Sequence, residues 1–252
     1  MPETFATFGI VLGGAALAGF IQGISGFAFA MIALSVWAWA LPPSVAAPLS
    51  VFGALCGQLV SFLQVRSGYD FRRILPLIVG GVFGVPLGVF LLHNADPVRF
   101  RFAVGAMLTL YGAYGLFAGT DPRVQIGGRL LDAFVGMIGG VLGGLGGMSG
   151  AVPAVWTQLR GWSRDIRRAT MQVYNIAMHV FTLTVYARTG GLDATALKLF
   201  AALAPVLIVT GYFGAKLYHR FSEQAFARLI LGLLLASGLA MLYGSIRTLW
   251  RL

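Results

Sequence analysis

Charge is what this sequence has least of. Asp, Glu, Lys and Arg make up 10% of its 252 residues, and only eight of them are acidic. A soluble domain carries about 25% charged residues to solvate its surface. A water-facing globule of this composition would therefore expose a continuous apolar surface, which excludes a soluble enzyme. The single cysteine, Cys56, sits inside an apolar run, which excludes a disulfide-built secreted scaffold. Three histidines, two of them (His93 and His219) at the borders of apolar blocks, make no metal-ligand set, and no cofactor motif is present. What the chain does have is apolar: 58% hydrophobic residues and a mean hydropathy of +0.84. It contains several runs of the ~20 residues needed to cross a ~30 Å hydrocarbon core. Glycine is in excess, at 35 residues, about twice its usual ~7% share.

Short charged loops divide the chain into eight apolar blocks: Phe5–Leu41, Val45–Val65, Ile74–His93, Phe102–Gly119, Leu130–Leu159, Ala169–Ala187, Thr195–Leu217 and Phe226–Ile246. Prolines mark several edges, among them Pro42-Pro43, Pro97 and Pro122. No basic stretch precedes the first block, so it is expected to be a retained span and not a cleaved leader. No loop is long enough to fold alone, and residues 1–252 read as one all-α, polytopic membrane domain.

Two blocks are too long for one crossing, and both carry glycine clusters. The first reads Gly19-Phe-Ile-Gln-Gly-Ile-Ser-Gly-Phe-Ala-Phe, and the fifth reads Gly139-Gly-Val-Leu-Gly-Gly-Leu-Gly-Gly-Met-Ser-Gly-Ala-Val-Pro. Gly19, Gly23 and Gly26 fall on Gly139, Gly143 and Gly146 at a common offset, and Trp37 and Trp156 then coincide within one position. Three further blocks follow each cluster. The pattern is that of two four-segment repeats, about 5–119 and 130–248, each with a glycine-broken or re-entrant first segment. Glycine-interrupted segments at matching places in two halves point to a transporter binding site.

The basic loop residues test the topology. With eight single crossings they divide evenly. With blocks one and five entering and returning on the same side, twelve fall on one side: Arg66, Arg72, Arg73, Arg123, Arg129, Arg160, Arg164, Arg167, Arg168, Lys216, Arg220 and Arg228. Arg99, Arg101, Arg188, Lys198, Arg247 and Arg251 fall on the other. That bias selects the second arrangement. It makes the two repeats inverted and places both termini outside the cytoplasm.

All eight acidic residues lie in loops or at block ends, which argues against the buried carboxylates of cation pumps and proton relays. No Arg or Lys lies mid-span either. An anion would then be held by backbone N–H groups where a helix is interrupted, aided by the helix dipole. Gln22, Gly23, Ser25 and Gly26 in the first cluster, and Gly146, Gly147, Ser149 and Gly150 in the second, are the candidates. In the same clusters Gly19/Gly23, Gly139/Gly143 and Gly140/Gly144 are GxxxG pairs, whose ordinary role is helix packing, and such pairs are compatible with a homodimer. In block six, Gln172, Asn175, His179, Thr182 and Tyr186 recur at three- and four-residue spacing and so share one helix face. A sparser stripe, Ser50, Gly57, Ser61 and Gln64 with Gln58 beside it, runs along block two. These stripes line a polar path or supply interhelical hydrogen bonds. His179 is the one mid-span group that titrates near neutral pH, and it is the candidate for proton coupling. The basic residues are scattered over many loops, so nucleic acid is not an expected partner.

The two glycine clusters resemble the paired motifs of the TauE/SafE sulfite exporter family, also known as the toluene-sulfonate uptake permeases. The likeness covers nearly the whole chain. In the second motif Gly147-Met-Ser-Gly150 stands in place of a plain glycine run and Pro153 is retained; in the first, Ala33-Leu34 stands where a proline is expected. The resemblance implies a bacterial inner-membrane secondary transporter. Its small anionic substrate would be sulfite, sulfoacetate or a related organosulfonate. An anion channel is the alternative. A membrane-embedded enzyme would require a nucleophile–base pair or metal cluster that these residues do not supply.

Overall fold

The computed structural model describes residues 5–25, 28–62, 68–117, 127–217 and 223–250. They form an all-α bundle, with no strand among the described residues. The helices are α1 (Phe5–Ser25), α2 (Phe29–Ala40), α3 (Pro43–Phe62), α4 (Phe71–His93) and α5 (Pro97–Phe117), then α6 (Arg129–Gly146), α7 (Ala151–Leu159), α8 (Arg164–Arg188), α9 (Ala194–Leu217) and α10 (Glu223–Leu249). Seven of them are long and apolar enough to cross a bilayer. Helix α8 is long enough, at 25 residues, but its first turns carry Arg164, Asp165, Arg167 and Arg168.

Several helices start before their apolar blocks. Helix α4 begins at Phe71 instead of Ile74, α5 at Pro97 instead of Phe102, α8 at Arg164 instead of Ala169 and α10 at Glu223 instead of Phe226. Hydropathy measures the lipid-facing length, whereas the helix continues into charged turns that water solvates. Two aspartates cap such starts. Asp70 accepts the Arg72 N–H at 3.1 Å, and Asp96 accepts those of Val98 and Arg99 at 2.8 and 2.9 Å. Pro43 and Pro97 open helices, as the first helical residue needs no N–H donor.

Each overlong block is a pair of helices folded back on itself. The indole N–H of Trp37 in α2 donates to the Val11 carbonyl of α1 at 3.2 Å, a contact made possible by Gly14, whose Cβ would lie 2.5 Å from that nitrogen. The indole N–H of Trp156 in α7 donates to Asp132 in the first turn of α6 at 2.7 Å. The Arg160 guanidinium lies 5.8 Å over the Trp156 ring. Asp132 is thus at a block end, as expected from sequence, yet only 5% exposed.

Glycine brings the helices close. On α4, Gly80, Gly84 and Gly88 face the carbonyls of Ala133, Met137 and Val141. On α6, Gly136, Gly140 and Gly144 face those of Leu77, Gly81 and Val85. The matched numbers rise together, so α4 and α6 run parallel. Helices α1 and α9 cross in the same sense, with Gly19 against Leu207 and Thr210 and Gly23 against Gly211 and Ala215. Helices α5 and α10 run antiparallel, Gly105 meeting Met241 and Gly112 meeting Leu235. Helices α3 and α8 pack against each other, α3 also against α9 and α8 also against α4. Arg101 over Trp39 (5.4 Å) and Arg73 over Trp162 (5.2 Å) form cation–π pairs at opposite ends of the bundle, the depth at which such aromatics sit in membrane proteins.

Candidate functional site at the α6–α7 junction

The chain turns between α6 and α7 within four residues. Gly147 adopts φ +81°, and its N–H bonds back to the Gly143 carbonyl at 2.7 Å. This left-handed cap is a conformation that a side chain resists. Ser149 then lies against α6 again, its Cβ 3.0 Å from where a Cβ on Gly143 would stand. Gly150 opens α7 without a side-chain cap. The N–H of Ala151 reaches the Met148 carbonyl and that of Ala154 reaches the Gly150 carbonyl. Pro153 has no N–H. The N–H groups of Ser149, Gly150 and Val152 have no acceptor among the described residues.

The polar stripe of α8 faces this turn. Gln172, Asn175, His179, Thr182 and Tyr186 are all buried, none more than 5% exposed. The Ser149 hydroxyl donates to Asn175 Oδ1 at 3.1 Å and lies 3.4 Å from His179 Nε2. The His179 Nε2–H donates to the Gly147 carbonyl at 3.0 Å, which leaves Nδ1 bare, buried and without a partner. The hydroxyl of Thr182, also buried, has no partner either. The Asn175 carboxamide lies flat over Gly150, with Oδ1 and Nδ2 both 2.7 Å from where a Cβ would project. Tyr186 donates to the Gly144 carbonyl at 2.7 Å and Tyr174 to that of Gly136 at 2.8 Å, fixing α8 on α6. Asn175 is about 17 Å along α8 from Arg164 at 1.5 Å per residue, close to the middle of the helix.

Not every candidate falls into this cluster. Gly146 ends α6, and its carbonyl accepts the Ser50 hydroxyl at 2.7 Å. Gln172 lies about one turn before Asn175 on α8 and donates to the Gln58 carbonyl of α3. Gly23 is inside α1 at the crossing with α9. The Ser25 hydroxyl bonds the Ile21 carbonyl one turn earlier at 2.8 Å. Gln22 is buried and bonds to the start of α2. Gly26 and Gln64 lie outside the described residues. The only sequence mark of the unmatched N–H of Val152 is Pro153 beside it, which points to an unconventional helix start. The pairing of Asp132 with Trp156 had no sequence signal. Nor did the left-handed backbone of Ala28, φ +86°.

The site offers donors without a fixed charge: three backbone N–H groups, a hydroxyl, an amide and an imidazole. Among the described residues no group of three or more His, Cys, Asp or Glu could hold a metal ion. Comparison with curated proteins and with solved structures finds no match. The family model described as sulfite exporter TauE/SafE matches residues 11–241. Its members are transporters and not enzymes, and the fold is accordingly that of a multi-pass protein of the bacterial inner membrane. The chain belongs to the TauE/SafE sulfite exporter family.

Proposed function

We propose that the protein is a secondary transporter of a small sulfur-containing anion, such as sulfite, sulfoacetate or a related organosulfonate, bound at the N-terminus of α7. One observation carries this reading. Three backbone N–H groups without an acceptor among the described residues, the positive end of a helix dipole and the side chains of Ser149, Asn175 and His179 meet at the α6–α7 turn beside the middle of α8, with no described carboxylate bonded to them. A tetrahedral or pyramidal oxyanion presents several acceptors and suits such a cluster of donors. Proton uptake at the bare Nδ1 of His179 would place a positive charge in the same cluster, which makes this residue the coupling candidate.

Alternating access of two inverted repeats is the mechanism we infer. Exchange α1–α5 with α6–α10 in order, and the main helix partnerships are retained: α4 with α6 becomes α9 with α1, α4 with α8 becomes α9 with α3, and α5 with α10 and α3 with α8 map onto themselves. Trp37 and Trp156 each tie a returning helix to the early part of its partner. Together with the twelve-to-six basic bias, this supports glycine-interrupted hairpins as first segments and periplasmic termini. A channel would share the site and differ in flux, which would not saturate.

The test is binding and flux with purified protein. Sulfite or a small organosulfonate should raise the melting temperature, and His179→Ala should weaken that effect. Reconstituted uptake should saturate. No stabilisation by any sulfur oxyanion would overturn the substrate class, and a cytoplasmic C-terminal tag would overturn the topology.

A further inference from the structure

The α7 start has a counterpart in the first half, and the two are not chemically alike. Helix α2 begins at Phe29, which stands at the offset position of Ser149. Its first N–H is taken by a side chain: Gln22 Oε1 accepts it at 3.0 Å. The other end of that carboxamide, Nε2, donates to the Ala54 carbonyl of α3 at 3.2 Å. Gln22 is 2% exposed. Its amide fits only because Gly57 faces it, since a Cβ there would lie 2.5 Å from Gln22 Cδ. At the offset position of Gln22 the second half has Leu142, which accepts nothing.

We propose that the chain binds one substrate anion, at α7 alone, and that the Gln22 carboxamide oxygen is the built-in occupant of the matching position at α2. The inference rests on the binding reading given above. An oxyanion at a helix N-terminus accepts the same N–H groups that a cap accepts. An amide oxygen does so without net charge, and it is tethered, so a free anion must displace it at the expense of two buried hydrogen bonds. Gln22 also ties α1, α2 and α3 into one unit, whereas the α7 start has no such internal acceptor among the described residues. The two hairpins therefore share an architecture and divide the work, one as a fixed scaffold and one as the substrate seat.

Equilibrium binding of radiolabelled sulfite to the purified full chain in detergent tests this through the number of sites. Wild type should bind one sulfite per chain, and Asn175→Ala should weaken that site at least tenfold. Gln22→Ala should add a second, weaker class of site that Asn175→Ala leaves unchanged. Gln22→Glu retains an oxygen for Phe29 and should stay at one. Two sites in wild type overturn the inference while leaving the transporter reading intact, as does a folded Gln22→Ala protein that still binds one. Wild type binding no sulfite or organosulfonate overturns the transporter reading and this inference with it. The wild-type count decides even if the Ala variant fails to fold.

Discussion

Replacing Gly150 with alanine isolates the contribution of one side chain to the α7 site. The backbone there is φ −77°, ψ −13°, which alanine adopts freely. Reduced freedom of the unfolded chain favours the variant by about 0.4–1 kcal/mol. The new methyl has one conflict: both polar atoms of the Asn175 carboxamide lie 2.7 Å from it. That amide is the far end of a flexible side chain, so it can turn away. Doing so breaks its bond from Ser149 at 3.1 Å, worth about 0.5–1.5 kcal/mol. The two contributions nearly cancel, and the melting temperature should barely move. Binding should respond differently. A hydrogen bond to a charged ligand is worth about 1.5–3 kcal/mol, so losing that of Asn175 weakens sulfite binding by roughly 10- to 150-fold. Titration calorimetry on Gly150→Ala, Asn175→Ala and the double variant completes the cycle. The double variant should bind no worse than Asn175→Ala alone, because both changes remove the same contact. A folded Gly150→Ala protein whose sulfite affinity stays within twofold of wild type would refute the reasoning. So would two losses that simply multiply.

Four other substitutions probe the frame around the site. Gly84→Ala drives a methyl into the Met137 carbonyl, with Val141 N at 2.9 Å. Backbone atoms cannot rotate aside, so thermal unfolding should show a loss of about 1–3 kcal/mol, whereas Gly13→Ala, with nothing within 4 Å, should be neutral or mildly stabilising. Gly147→Ala combines a φ of +81° with a Cβ 3.1 Å from Val51 Cα; about 1–2 kcal/mol of strain should appear in the same assay. The Arg99 N–H, followed by burial acting the other way and the Val98 N–H, holds the Asp96 carboxyl below its ordinary value. Its capping contribution is therefore complete above ~3.9 and lost as pH falls through the lowered value. Asp96→Ala should lower the melting temperature at neutral pH and leave it unchanged well below that range.

Much of this frame can be read from residue order, and the part that cannot has a common cause. The α8 stripe was legible because three- and four-residue spacing puts Gln172, Asn175, His179, Thr182 and Tyr186 on one face, and polar groups facing lipid would go unsatisfied. The two interrupted blocks were legible from their length. What each glycine does was not. Gly140 and Gly144 sit against α4, whereas Gly143 and Gly139 make room for Ser149 and Tyr174; one step along the same run changes the partner helix. The start of α2 and the start of α7 likewise read as equivalents, because the Gln22 bond depends on the rotamer of one side chain and on the space Gly57 leaves across an interface. Periodicity reports which face a residue occupies. It carries no information about which helix that face meets.

The neutrality of the proposed α7 site is what an alternating carrier would require. A transporter that alternates has to reorient both loaded and unloaded. An arginine or lysine at the depth of Asn175 would bind an anion tightly, but it would remain a buried, unpaired charge whenever the anion left, at a cost of several kcal/mol. Backbone N–H groups, Ser149 and Asn175 have no net charge to strand; each lost partner costs about 1–3 kcal/mol, and water can replace part of it. The same reasoning applies to Asp132, the one buried carboxylate among the described residues. Asp132 lies near the far end of α6 from the Gly147 turn, held by the Trp156 indole. At 1.5 Å per residue it is about 17 Å along α6 from Gly143, where Ser149 packs. An acid one helical turn from Ser149 would repel the substrate by ~3 kcal/mol, taking two charges 5–6 Å apart at an effective dielectric of 20. Its placement at the helix start would keep that repulsion away from the proposed seat while leaving a favourable charge at the positive end of α6.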